Sequence, residues 1–325
     1  MQRRFLVAKM TIIEGLQPSI DALEIQRKAL AYLKTKGYIF IGAGILFAAA
    51  GFIFSDFLLF GLIPALVAFV FGFIALNRGS RLFEQYRHEF KLKIIAGAMK
   101  SIDQSLEIDY QQGLSEGNFI HSQLFNTRPD RYSSEDQITG SAGKTRFAFS
   151  EVHAEYKTVT QTKNGRRVEW HDIFKGIIFC ADFNKHFKGI TVIRPKDIGS
   201  SISNWFSENM PIFSSGSSMV KLENPDFSKC FVTYSIDQIE ARYILTPAMM
   251  ERLCQLESKS KYTISVSFID SYMYIAFPLD KNYFEPPQFK SLLNANNWQK
   301  DIDVIRFMYD IVAELDLNTR IWGKH

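Results

Sequence analysis

The chain has 325 residues, of which 46% are hydrophobic, and its formal net charge at pH 7 is +4. This length leaves room for a membrane segment and one soluble region of ordinary domain size. The slight positive charge does not predict the basic surface that nucleic-acid binding requires, so we expect no nucleic-acid partner. Membrane lipid is an expected neighbour, because basic residues cluster beside an apolar segment.

That apolar segment is almost uncharged, runs over residues 37–76 and is interrupted once, at Ser55-Asp56. Its halves, 37–54 and 57–76, each approach the roughly 20 residues that cross a hydrocarbon core about 30 Å thick. The segment therefore predicts a transmembrane helical hairpin. The alternative is a buried helical pair in a soluble core, although a soluble helix of this length seldom lacks a charged residue on its outer face.

Basic residues flank both outer ends of the predicted hairpin. Positive side chains resist translocation, so these flanks favour two spans with both termini in the cytoplasm. A cleaved signal peptide is not expected, because the apolar run is too long and begins too far from the N-terminus. The flanking residues are Arg27, Lys28, Lys34 and Lys36 before the first span, and Arg78, Arg81 and Arg87 after the second.

Small residues recur at intervals of three and four along both spans, where they allow helix backbones to approach closely in lipid. The spans contain no Asp, Glu, Lys, Arg or His, so they offer no such residue for a transport or proton path. The pattern favours packing of the two spans, and it also allows self-association as a homo-oligomer. The small residues are Gly37, Gly44, Ala48 and Gly51 in the first span, and Gly61, Ala65, Ala68, Gly72 and Ala75 in the second.

Helical periodicity continues on both sides of the spans. Residues 1–36 predict a cytoplasmic amphipathic helix with a start near Pro18-Ser19, and residues 77–112 predict a juxtamembrane helix. We expect the two to pack together as a stalk. A helix lying flat on the bilayer is the alternative for the second, disfavoured because its basic residues are spread around it. The remaining residues, 113–325, are expected to form a cytoplasmic domain.

A long β-hairpin is predicted within this domain. The stretch 147–162 alternates as a strand, and 167–183 returns as its antiparallel partner. Asn164-Gly165 between them favours a two-residue type I′ turn, which fixes the register. The predicted cross-strand pairs are Lys157 with Asp172 and Tyr156 with Ile173.

The rest of the domain mixes short strands with helices and lacks a regular βαβ rhythm. This pattern predicts an α+β fold around a mostly antiparallel sheet, with the transmembrane hairpin and stalk helices at its N-terminal side. Strands are expected at 189–194, 220–222, 230–234, 262–268 and 272–277, and helices at 196–207, 237–243, 247–257 and 302–315.

Six blocks of the sequence follow one another in an order that resembles a known family. They are residues 149–155, 174–179, 182–189, 220–223, 231–247 and 317–322. Together they are similar to the bacterial domain of unknown function 3137 family, and residues 237–247 are the most specific part. The resemblance implies a bacterial, usually membrane-attached protein with no established reaction. It supplies no catalytic residue, and with the predicted spans it favours the bacterial inner membrane.

The first candidate for chemistry is Glu151, His153 and Glu155, which share one strand face by period-two alternation. These side chains are of the types that acid–base or metal chemistry uses. A single histidine between two carboxylates is more often a solvated, salt-bridged face, so we predict no metal site. Under the predicted register His171 lies on the opposite face and does not complete a site.

The second candidate, Asp182, Lys185 and His186, lies at the end of a strand, where a surface role is commoner than catalysis. The three cysteines show no metal-binding or redox spacing and are expected to be reduced, packed thiols. They are Cys180, Cys230 and Cys254.

The third candidate is the group Asp237, Gln238, Glu240 and Arg242. The guanidinium of Arg242 has the shape to bind a carboxylate or phosphate, although a structural pair within the domain is favoured. In the same block Asp237 is expected to cap the following helix, with Glu240 at the capping-box position.

The sequence contains no Gly-rich phosphate loop, nucleophile elbow, zinc-protease motif or EF-hand loop, so no cofactor is predicted and the enzyme hypothesis is weakened. We favour a membrane-anchored cytoplasmic interaction module that binds a protein or a lipid headgroup. The alternatives are a membrane-associated, hydrolase-like enzyme that uses the strand face around His153, and a homo-oligomeric membrane scaffold held by the small residues.

Overall fold

The computed structural model describes residues 2–53, 58–162, 165–183, 185–196, 217–260, 263–279 and 281–317, with side chains from residue 15 onward. The chain divides into two compact units. The first contains residues 1–101 and 284–303, and the second contains residues 102–283 and 304–325. The polypeptide therefore leaves the second unit after Tyr283 and returns to it at Val304.

Two long helices dominate the first unit, α1 (Gln2–Ile53) and α2 (Leu58–Phe90). A π-helical turn, Lys91–Ile95, follows α2 directly and leads into α3 (Ala96–Ile102). Tyr86 and other apolar residues of these helices are fully buried. Packing of this kind, more than intrinsic propensity, stabilises helices in proteins.

Two helix limits differ from the prediction. α1 begins at Gln2 and runs through Pro18, so the predicted start at Pro18-Ser19 is wrong. Leu16, on the N-terminal side of this proline, packs closely against Gly97 of α3, which supports helix there. The second helical segment ends at Ile102 and does not continue to residue 112, because Glu107–Asp109 pairs with another strand.

The predicted small residues lie between α1 and α2, which run antiparallel. A side chain at Gly61 would meet the backbone of Gly51, and one at Gly72 would meet the carbonyl oxygen of Gly37. Gly44 faces the ring of Phe69. Ala65, Ala68 and Ala75 are buried along the same stripe, and Ala48 is half-buried. These small residues therefore pack α1 against α2 within one chain.

The outer surfaces of α1 and α2 are apolar. Only 17% and 22% of the most apolar window of each helix are buried. A core helix of a soluble protein buries such residues, whereas a helix in lipid exposes them to hydrocarbon. The two helices are therefore long and apolar enough to be candidate membrane spans, although the tip at Ser55-Asp56 lies outside the described residues. The exposed side chains include Ile45, Leu46, Phe52, Phe60, Ile63, Leu66 and Phe73.

A buried ion pair fixes residues 285–292, which we refer to as the strap, on these helices. Glu24 accepts two hydrogen bonds of 2.8 Å from Arg27, one turn along α1. The Glu24 carboxylate also accepts hydrogen bonds from Ser291 Oγ at 3.0 Å and Leu292 N at 2.9 Å. The hydrogen bonds from Arg27 are the main cause that lowers the pKa of Glu24 to about 2.

Further polar contacts hold the strap along its length. Tyr86 donates a hydrogen bond of 3.0 Å to the carbonyl oxygen of Pro287, and Lys34 donates one of 2.8 Å to the side chain of Gln288. Lys91 is buried and lies 3.0 Å from Glu285. Charged groups without water are costly unless paired, so these bonds make the position of the strap specific.

Within the described residues, the second unit contains a nine-stranded antiparallel sheet and five helices, one of which begins in the first unit. The strands are β1 (Glu107–Asp109), β2 (Arg131–Ala142), β3 (Thr145–Thr162), β4 (Gly165–Asp182), β5 (Thr191–Pro195), β6 (Ser218–Val220), β7 (Phe231–Ser235), β8 (Ser265–Ile269) and β9 (Tyr272–Pro278). The helices are α4 (Glu116–His121), α5 (Pro225–Cys230), α6 (Gln238–Ile244), α7 (Pro247–Ser260) and α8 (Gln299–Glu314). The strand order is β1-β2-β3-β4-β9-β8-β5-β7-β6.

Apolar residues cover both faces of the central strands. On one face, Phe119 of α4 stacks on Phe125, which in turn contacts Phe174 of β4. On the other face, Phe307 of α8 packs edge-on against Phe277 at 5.6 Å between ring centroids. The central sheet is therefore buried on both sides, as its apolar sequence requires.

The predicted α+β class with a mostly antiparallel sheet is confirmed. The strand at 147–162, the hairpin around Asp270-Ser271 and the closing helix at 302–315 are present, with limits shifted by up to three residues. The change from helical to alternating periodicity predicts strand structure from about Ile138, and β2 begins seven residues earlier, at Arg131. The helix predicted at 196–207 lies outside the described residues, apart from its first position.

We predict that Gly61→Leu destabilises the helix pair, because its side chain would overlap the backbone of Gly51. Overpacking of this kind costs about 1–3 kcal/mol. The matched control is Gly42→Leu, since a side chain at Gly42 meets open space. Thermal unfolding of the full-length protein in detergent should show a lower melting temperature for Gly61→Leu only. Equal melting temperatures for the two variants would contradict this packing.

We predict that Glu24→Gln lowers the free energy of unfolding by about 3 kcal/mol at pH 7, because it removes a carboxylate with a strongly lowered pKa. The stabilisation by Glu24 is complete above the unfolded-state pKa of about 4.5 and is lost as the pH falls towards about 2. The difference between wild type and variant should therefore shrink across that window.

The control for this prediction is Glu84→Gln, because Glu84 pairs with Arg87 at the surface. Such pairs contribute about 0–1 kcal/mol. Unfolding of both variants and the wild type as a function of pH is the measurement. A difference for Glu24→Gln that stays constant from pH 7 to pH 2 would contradict the account.

Candidate functional site

The register of β3 and β4 differs by two residues from the prediction. Gly165 has a φ of +123° and pairs with Thr162, so it is a strand residue and not the second residue of the turn. Residues 163 and 164, where the connection lies, are outside the described part of the chain. The predicted pairs Lys157–Asp172 and Tyr156–Ile173 are replaced by Lys157–Trp170 and Tyr156–His171.

A β-bulge then changes the register within β4. Ala154 pairs with Phe174 and Glu155 pairs with Asp172, which leaves Ile173 as an extra residue. Ile173 and Phe174 are both buried in the same apolar cluster, although they are adjacent in sequence. Without the extra residue, Asp172 would point to the opposite face of the sheet. The bulge therefore places Asp172 on the face that carries Glu155.

This face carries a connected set of polar side chains. His153 Nε2 and Asp172 Oδ1 are 2.7 Å apart, and Arg131 donates a hydrogen bond of 3.0 Å to Glu155. The Arg131 guanidinium lies 3.9 Å from the centroid of the Trp170 ring, within the range of a cation–π contact. One ligand atom from each of His153, Glu155 and Asp172 lies within 4.8 Å of the other two. We refer to these three residues as the strand cluster.

Glu151 lies on the same face but does not join the strand cluster. Its side chain is buried and accepts a hydrogen bond from the backbone N–H of Tyr283. The candidate set of Glu151, His153 and Glu155 is therefore divided, and Asp172 takes the place of Glu151 beside the histidine. His171 lies on the opposite face, as predicted.

His171 is part of the packing on that opposite face. Its ring stacks on Tyr156 with centroids 5.1 Å apart, and its Nε2 lies 2.9 Å from Thr158 Oγ1. These contacts account for the histidine without any chemical role.

The strand cluster offers ligands and a proton acceptor but lacks an activated nucleophile. Among the described residues, no Ser, Thr or Cys side chain hydrogen-bonds to His153, whose polar contact is with Asp172. A nucleophile in contact with its base is the usual arrangement for covalent hydrolysis. The arrangement thus suits cation binding or proton transfer better than covalent hydrolysis.

The second candidate group does not converge on one point. Lys185 Nζ lies 3.6 Å from the centroid of the Tyr243 ring, and desolvation by burial lowers the pKa of Lys185. His186 Nδ1 lies 3.3 Å from Ser271 Oγ. Asp182 is paired with Tyr272 at the end of β4. These contacts attach the loop after β4 to its neighbours.

The third candidate group has structural roles. Asp237 accepts hydrogen bonds from the backbone N–H groups of Ile239 and Glu240, so it caps α6 as predicted. Glu240 does not complete the predicted capping box. Its carboxylate accepts hydrogen bonds from the N–H groups of Lys188 and Gly189. The backbone N–H of Asp237 donates instead to Ser235 Oγ.

Arg242 donates a hydrogen bond of 3.3 Å to the backbone oxygen of Gln238, one turn earlier in α6. This contact lies within one helix, and among the residues that the structure describes no acidic side chain pairs with Arg242. The most specific block of the sequence is therefore explained largely by helix capping and by the attachment of the loop 185–189.

Cys180 and Cys254 do not have the properties of nucleophiles. Burial raises the pKa of Cys180 to about 12, and burial raises the pKa of Cys254 to about 12. A reactive cysteine requires a lowered pKa. All three cysteines are free thiols.

Sequence reasoning missed Arg131, Trp170 and Asp172. The predicted pairing of Lys157 with Asp172 already placed Asp172 on the face of His153, but the two-residue error in register set it opposite Lys157 and not opposite Glu155. Arg131 precedes the predicted start of its strand, so no partner could be assigned to it.

Comparison with curated proteins finds no match. Comparison with solved structures finds the mycobacterial trehalose monomycolate transport factor A, TtfA, at 8% identity and a TM-score of 0.35, covering 70% of this chain and 94% of that chain. A likeness at this level supports no conclusion about fold or function.

Residues 172–317 match the family model described as "Protein of unknown function (DUF3137)". The match includes four of the six sequence blocks completely, and the block at 149–155 lies before it. The segment 172–317 is therefore assigned to the DUF3137 family, which confirms the predicted family.

Proposed function

We propose that this protein is a membrane-anchored interaction module, in which α1 and α2 cross the inner membrane of a bacterium and the second unit binds a protein partner in the cytoplasm. The observation that carries the proposal is the free end of the β3–β4 pairing. We refer to residues 158–162 and 165–170 as the projecting hairpin. The membrane spans provide attachment, and the projecting hairpin provides the binding surface.

The projecting hairpin extends beyond both neighbouring strands. β2 pairs with β3 only as far as Glu155, and β9 pairs with β4 only from Gly176 onward. Among the described strands, none pairs with the outer edges of the projecting hairpin. Unpaired strand edges bind other strands readily, and many domains recognise partners by adding a strand to such an edge.

Apolar side chains are exposed on one face of the projecting hairpin. Val159 pairs with Val168, and the two are 44% and 45% exposed, while Trp170 is 39% exposed. An isolated two-stranded ribbon with exposed apolar residues is marginally stable in water. A partner that covers this face would bury these residues and stabilise the ribbon.

Charge favours an acidic partner surface, because basic residues outnumber Glu169 around the connection of the two strands. A lipid headgroup would also suit the basic residues. It would leave the outer N–H and C=O groups of the strands unpaired, so a protein strand fits better. The basic residues are Lys163, Arg166 and Arg167, of which Arg167 pairs with Glu169 at 2.7 Å. Lys157, at the base of the hairpin, pairs with Asp130 at 3.2 Å.

The membrane part of the proposal is supported by the apolar outer surfaces of α1 and α2 and by the basic residues that flank them. Positive flanks at both outer ends favour cytoplasmic termini. The small residues that would support a homo-oligomeric scaffold already pack α1 against α2, so we favour the interaction module over the scaffold.

We expect that a photo-crosslinking amino acid at Trp170 of the full-length protein captures a protein partner in cells, which mass spectrometry then identifies. With that partner purified, Val168→Glu should weaken binding at least about tenfold, because it places a charge in the apolar face. The matched control is Thr160→Glu, which places the same charge on the other face of the ribbon.

Equal loss of affinity in the Val168→Glu and Thr160→Glu variants would contradict binding through this face. Binding of the purified protein to anionic lipid vesicles, lost in Val168→Glu alone, would show that the partner is a lipid surface and that the proposed partner class is wrong.

We predict that a membrane-impermeant maleimide labels Ser55→Cys in intact cells, in a background with the native cysteines changed to Ala. The matched position is Ser80→Cys, which follows the second span and should react only after the membrane is disrupted. This pattern follows from the basic flanks. The reverse pattern, or no difference between the two positions, would contradict the topology.

A further inference from the structure

We propose that His153, Glu155 and Asp172 form a binding site for a divalent transition-metal ion of the Zn²⁺ class. This site goes beyond the proposed interaction function and does not depend on it. Imidazole nitrogen and carboxylate oxygen are both ligands that Zn²⁺ accepts at about 2.0–2.2 Å.

The three ligand atoms are close enough to meet around one ion. They lie within 4.8 Å of one another, and ligands of a tetrahedral ion at the bond lengths above are about 3.4 Å apart. The His153 and Asp172 side chains are 37% and 61% exposed, so small rotations are open to them. Both strands are paired here, so the backbone already fixes the three positions.

The bulge in β4 makes this convergence specific. It directs Asp172 to the face of His153 and Glu155, while Ile173 and Phe174 remain in the apolar core. β-bulges commonly redirect a side chain next to functional sites. A regular strand would bury the same apolar residues less completely and would leave His153 beside one carboxylate fewer.

Arg131 and Trp170 form a second layer around the proposed ligands. Arg131 donates a hydrogen bond to Oε2 of Glu155, which leaves Oε1 to face an ion. The Arg131 guanidinium is itself placed over the Trp170 ring. Partners of this kind orient metal ligands and tune affinity. The charge of Arg131 also opposes a cation, so we expect affinity in the micromolar range and not the tight binding of a structural zinc site.

Three protein ligands leave the fourth position of a tetrahedral ion open. The exposed side of the strand cluster makes that position accessible to water or to a group from outside the chain. The chain supplies a matched comparison in His121, whose Nε2 lies 2.9 Å from Asp270 Oδ2. That pair is also exposed, and the described residues place no third metal-ligating side chain beside it.

The test is calorimetric titration of Zn²⁺ into the full-length protein in detergent, purified without a polyhistidine tag and treated with chelator. The wild type should bind one ion in the micromolar range. His153→Ala and Asp172→Asn should each weaken this binding at least about tenfold. His121→Ala should bind as the wild type does. Unchanged melting temperatures without metal would establish that the variants fold.

Three results would overturn the proposal. The first is a wild type that does not bind Zn²⁺ at millimolar concentration. The second is unchanged affinity in His153→Ala, and the third is an equal loss in His121→Ala, which would indicate adventitious binding to exposed histidines. Each is independent of whether the projecting hairpin binds a partner.

Discussion

One extra residue in β4 determines which side chains act together on this protein. Ile173 is accommodated by a bulge, and burial of Ile173 and Phe174 in one apolar cluster keeps that bulge in place. The cost of moving either residue to the surface, about 1.5–3 kcal/mol each, holds the register. As a result Asp172 faces His153, and Trp170 faces Arg131. The strand cluster and the exposed face of the projecting hairpin both depend on this one irregularity.

The strap imposes a second constraint, within the first unit. Residues 285–292 belong by sequence to the segment that matches the family, yet they pack with α1 and α2. Glu24 and Arg27 form a buried pair whose remaining hydrogen-bonding capacity is taken up by Leu292, Ser291 and Gln288. A buried pair that loses one partner is destabilising by about 3–5 kcal/mol. Removal of the helices would leave these strap groups without their partners. The segment 172–317 therefore does not contain all the residues that it packs against.

Periodicity predicted the elements whose pattern is long and regular. The apolar spans and the alternation of 147–162 are examples, because burial or exposure of a whole helix or strand face leaves a repeat in the sequence. The bulge at Ile173 leaves no such repeat, and a two-residue error at Gly165 moved every predicted pair. Glu24 resembled an ordinary polar residue of an amphipathic helix, since its partners Ser291 and Leu292 are more than 260 residues away. The candidate site was therefore predicted in part, through His153 and Glu155, and its remaining ligand was not.

The projecting hairpin is proposed to bind a protein partner that pairs with its outer strand edges. Hydrogen–deuterium exchange at the outward-facing amides of residues 158–162 and 166–170 tests this most directly, in native membrane vesicles and in the protein purified from them. Those amides are unpaired among the described strands, so they should exchange rapidly in the purified protein. Slow exchange is expected in the native membrane, where the partner is present. Rapid exchange in both preparations would contradict the proposal.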